Sequence, residues 1–175
     1  MRNGIYGIFR LDRGPIDAGN RALLGLGPDP DCLNLTGVDN TEPVAISIDR
    51  DGADIAVFAG YLDEREDLAA LLGLAPATPP ARIACAALRR FGDDAPVKMT
   101  GEWSFAWWQS EARLLTLATA RGCRDPLLYA AVGNHVAIAP DLRLLSRLPW
   151  IDDRLDAEGM LFALGRAQLR RHSGN

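Results

Sequence analysis

Two histidines and three cysteines in 175 residues leave little room for side-chain chemistry. Cys32, Cys85 and Cys123 are odd in number and nowhere spaced as C-x-x-C, which speaks against a disulfide framework and a structural zinc site. His135 stands beside a hairpin turn, where it is expected as an exposed turn residue rather than a base, and His172 in a polar tail, too few for a histidine-built metal centre or triad, so neither metal nor cofactor is expected. No apolar run approaches a membrane span, and no apolar h-region precedes Asp12 and Arg13, so the expectation is a cytoplasmic chain with no membrane contact. Excess positive charge is also missing. Nineteen Lys and Arg against 23 Asp and Glu give a net charge of -4, which removes the electrostatic basis for nucleic-acid binding. The pairs Arg89-Arg90 and Arg170-Arg171 read as solvated positions on a helix and a tail. Also absent are the G-x-S-x-G elbow, H-E-x-x-H, the phosphate loop G-x-x-x-x-G-K, and a G-x-G-x-x-G between a strand and a helix.

What is present is an ordinary globular composition, 48% hydrophobic and 24% charged, enough for one buried core. "GIYGIFRL", closed by "DRG", predicts a first strand buried on both faces. Asp17 can cap a short helix that "GLGPDPDC" ends in a loop. "PVAISIDRDGADIAVFAGYL" predicts a hairpin turning at Asp51-Gly52. "LDEREDLAALLGL" predicts a helix capped by Asp63 and stopped at Gly73; Pro80 opens a second, with a stripe of Ile83, Ala87, Leu88 and Phe91 ending before Gly92. Cys85 falls inside that helix as a small packing residue.

In "EWSFAWWQSEARLLTLATARG", alternation predicts a hairpin with Trp103, Phe105 and Trp107 on one face and Ser104, Ala106 and Trp108 on the other, a pattern suited to packing between layers. "PLLYAAV" and "HVAIAP" flank the turn "GN", "DLRLLSRL" predicts a short helix, and "DAEGMLFALGRAQLRRHSGN" starts helical at Asp156 and frays. Hairpins connect most neighbours, so the fold class is α+β with antiparallel sheets and segregated helices.

Taken in order, several strings are similar to one family. "GIYGIF", "GPD" at Gly27 to Asp29, "GYLDEREDLAALLG", "MTGEWSFAWWQSEARLLTLATA", "CRDPLLYA" and "IAPDLRLLSRLP" resemble the amino-terminal amidotransferase domain of asparagine-synthetase-like proteins, a class II glutamine amidotransferase. The matches run from about residue 4 to residue 164. The resemblance implies an N-terminal-nucleophile hydrolase-like αββα sandwich of two antiparallel sheets flanked by helices. It also implies an amidotransferase-like domain over residues 1–164, with 165–175 a polar tail or the start of a linker.

In active members of that family an amino-terminal cysteine attacks the glutamine amide, with its own α-amino group as base, a group that titrates at about 7.7 to 8.0. The matching position here is Asn3, whose amide is no nucleophile, and Arg2 would hinder removal of Met1. Among the family's substrate-pocket positions, Leu26 stands where an arginine grips the substrate carboxylate, ahead of Gly27 and Asp29. Ala59, Gly60 and Tyr61 stand where the family has Asn-Gly-Glu, so of that segment the glycine alone survives and the oxyanion donor is gone.

No catalytic residue is therefore expected. The resemblance implies a silent amidotransferase-like domain that supports an asparagine-synthetase-like ATP-binding domain or subunit of an amide-forming ligase. Peptide cyclases and β-lactam synthetases are relatives with a degenerate first domain. No Ser-Gly-rich pyrophosphate loop occurs here, so this chain alone is not expected to use ATP. Two other expectations stand beside that one: a binding module whose cleft, made apolar by Leu26 and Ala59, takes a peptide or small molecule, and a hydrolase using Cys32 or Cys123 as nucleophile.

Overall fold

The computed structural model describes residues 4–12, 14–26, 33–38, 46–123, 127–152 and 154. Its strands are β1 (Gly4–Arg10), β2 (Leu33–Val38), β3 (Ile46–Asp51), β4 (Asp54–Leu62), β5 (Gly101–Gln109), β6 (Leu114–Thr119), β7 (Leu128–Val132) and β8 (His135–Ala139). The helices are α1 (Ala18–Leu23), α2 (Arg65–Leu71), α3 (Pro80–Phe91), α4 (Ala95–Lys98) and α5 (Leu142–Leu145). Two antiparallel sheets result, in the orders β2-β1-β8-β7 and β3-β4-β5-β6, so the chain is α+β and built on a two-sheet sandwich.

Alternation assigns each strand residue to a layer. In β1, Ile5 and Phe9 face the second sheet while Tyr6 and Ile8 face outward beneath helices. In β5, Trp103, Phe105 and Trp107 face α3, and Ala106 faces the first sheet, the split that the sequence predicts. Three buried clusters follow. Ile5, Phe9 and Ile138 meet Val57, Ala59 and Ala106 between the sheets, where the Phe9 and Trp108 rings lie 5.8 Å apart. Ile83, Ala84 and Ala87 of α3 cover Phe58 and the tryptophans of the second sheet, while Leu24, Leu145 and Leu148 cover the outer face of the first. Each fully buried large side chain of this kind contributes about 1.5–3 kcal/mol, which is why the helices sit over the bulkiest residues.

Local signals hold at most element ends. The Asp17 carboxylate accepts from the Gly19 and Asn20 amides at 2.8 and 3.2 Å and starts α1. Pro80 opens α3, and Gly92 closes it at a φ of 56°. The β3–β4 hairpin turns at Gly52 as expected, with Asp51 opposite Asp54. Three details differ from the sequence reading. Glu64 rather than Asp63 precedes α2, and the Glu64 side chain does not cap it; the Asp63 amide donates to the Thr100 carbonyl at 3.1 Å, continuing the β4–β5 pairing past Leu62. A strand at β2 was not foreseen; Gly37 and the neighbouring Asp and Pro residues mask its alternation, and pairing with β1 imposes it. His135 is not an exposed turn residue: it begins β8, and its half-buried ring stacks on Trp150 at 5.2 Å. The expected loop at 27–32 and the helix from Asp156 lie outside the described residues.

Candidate functional site

A buried polar residue, Ser104, lies on the inter-sheet face close to where β4 ends and β5 begins. Ala59 lies opposite Ser104, Gly60 opposite Trp103 and Tyr61 opposite Glu102. Past β6 the chain folds back over this end: the Ala120 amide donates to the Trp103 carbonyl at 2.8 Å, and the Cys123 amide donates to the Ala120 carbonyl at 3.1 Å. That return brings the half-buried Cys123 Sγ to 3.7 Å from the buried Ser104 Oγ. Either group can donate in this contact, and a hydroxyl does not serve as the base that a nucleophilic thiol needs. His135 stacks on Trp150 within the outer layer of the first sheet, so the imidazole is directed away from this pair.

Gly60, which the resemblance matches to the glycine of the family's Asn-Gly-Glu segment, has a strong structural reason to be glycine. Its φ is +121°, and a Cβ there would lie 2.1 Å from the Glu102 carbonyl oxygen and 2.8 Å from the Trp103 Cα. β4 and β5 approach too closely at this point for any side chain. Beyond it, Tyr61 is 50% exposed, and residues Leu62 to Asp67 form a shallow open recess rimmed by Asp63, Glu64, Glu66 and Asp67. Four carboxylates against Arg65 repel an anionic ligand group rather than hold one.

No protein-family model matches the chain, and no curated protein matches it.

Asn3, at the nucleophile position implied by the resemblance, and the pocket positions Gly27 and Asp29 lie outside the described residues. Leu26 is buried with Tyr6, Ile8 and Ile16 on the outer face of the first sheet, whereas Ala59 is buried between the sheets, so the described structure does not bring the two into one cleft. Cys32 lies outside the described residues. Cys85 is buried against the second sheet, and burial, reinforced by Asp49 and Asp54 against the opposing effect of Arg89 and Arg82, pushes its thiol up to about 12. A thiol so held is protonated and inert at neutral pH.

Sequence reasoning singled out Cys123 but not Ser104 as its neighbour. The alternation in "EWSFAWW" was the available signal, since it sends Ser104 to the inter-sheet face, but the return of the chain after β6 is a tertiary event. Arg89 and Arg90 are exposed on α3, yet each has a partner: the Arg89 guanidinium lies 4.9 Å above the Trp107 ring, and Arg90 donates to the Leu71 carbonyl. Both contacts serve packing of the helix. Among the described residues, no group of three or more His, Cys, Asp or Glu is arranged to hold a metal, and no helix is long and apolar enough to cross a membrane.

Proposed function

We propose that the chain is a class II glutamine amidotransferase-like domain, of the N-terminal-nucleophile hydrolase type, that has lost glutaminase activity and supports an asparagine-synthetase-like ATP-binding domain or subunit. One observation carries this reading. β1 is buried over nearly its whole length and central in its sheet, and it opens on "GIYG" directly after Asn3, at the position where the family it resembles keeps its nucleophilic cysteine. The two facing antiparallel sheets, covered on both outer faces by helices, are compatible with that ancestry. The Ser104 hydroxyl is not a base for the Cys123 thiol, and the acidic rim at 63–67 repels rather than grips the glutamine carboxylate.

Isothermal titration with glutamine, together with an ammonia-release assay, tests the loss of chemistry. The expected result is no ammonia above the protein-free rate and weaker binding of glutamine than of a purified synthetase-domain partner. Tight glutamine binding without partner binding overturns the reading.

A second reading has one contact in its favour: Cys123, close to Ser104, acting as a hydrolytic nucleophile. Treatment with an electrophilic thiol probe, followed by Cys123→Ser, separates the two. Substrate turnover abolished by that single change would establish the hydrolase.

A further inference from the structure

We draw no further inference here: the strongest candidate, the apolar edge of the first sheet along β7 and the start of α5, where Tyr129 and Leu142 are exposed, carries none because nothing in the structure shows what covers it.

Discussion

Replacing Gly60 with alanine separates a structural glycine from a ligand-binding one. Two costs follow from the coordinates. The φ of +121° lies in a region that L side chains rarely adopt, worth about 1–3 kcal/mol of strain. The new methyl would sit 2.1 Å from the Glu102 carbonyl oxygen and 2.8 Å from the Trp103 Cα, both backbone atoms with no rotamer through which to escape. Relieving that overlap means spreading β4 from β5, an overpacking cost of about 1–3 kcal/mol. The sum is about 4 kcal/mol, which for a chain of this size lowers the melting temperature by about 8–16 °C. Gly52→Ala is the internal control: its φ of +58° is also left-handed, but no atom lies within 4 Å of the added methyl. That variant should lose about 1 kcal/mol and melt about 2–4 °C below wild type. Urea and thermal unfolding of the two variants measure the difference. Equal losses, or a Gly60→Ala loss below about 1 kcal/mol, would refute the close-approach account and return Gly60 to consideration as a binding residue.

Trp103→Phe removes the donor that meets the Met99 carbonyl at 2.8 Å and trims a fully buried ring, so unfolding experiments should show a loss of about 2–4 kcal/mol. The half-buried Trp108 should lose less on the same change. Cys85 predicts both reactivity and pH dependence. With its thiol pushed up to about 12 from an ordinary 9.0, mass-spectrometric mapping after brief alkylation at pH 8 should find Cys123 modified and Cys85 spared. Because the folded state holds this proton more tightly than the unfolded chain, the stabilisation is complete below about pH 9 and declines as pH rises toward 12. The slope approaches about 1.4 kcal/mol per pH unit, and urea midpoints of wild type and Cys85→Ala measured from pH 8 to 10.5 should diverge by it.

Much of the local structure was readable because its causes are local. Asp17, Pro80, Gly52 and Gly92 act within a few residues of themselves, and the period of two in "EWSFAWW" assigned faces to β5 without knowledge of what lay on either side. The departures have one origin, contact with distant chain. β2 is a strand because β1 pairs with it, the Asp63 amide bonds the distant Thr100 carbonyl and so continues the sheet pairing, and His135 is half-buried against Trp150. The same holds at the candidate site, where Cys123 could be singled out from the sequence but its approach to Ser104 could not.

By itself the sequence determined α1, α2, α3 and α5, the hairpins β3–β4, β5–β6 and β7–β8, the α+β class and the scarcity of groups able to do chemistry, since these depend on residue type and on spacing shorter than a strand. Tertiary structure alone decided that β1 lies between β2 and β8, that Leu26 and Ala59 fall in different layers, and that β7 is left as an uncharged edge. Strand neighbours far apart in the chain are chosen by which pairing buries every apolar face at once, and no local pattern carries that choice.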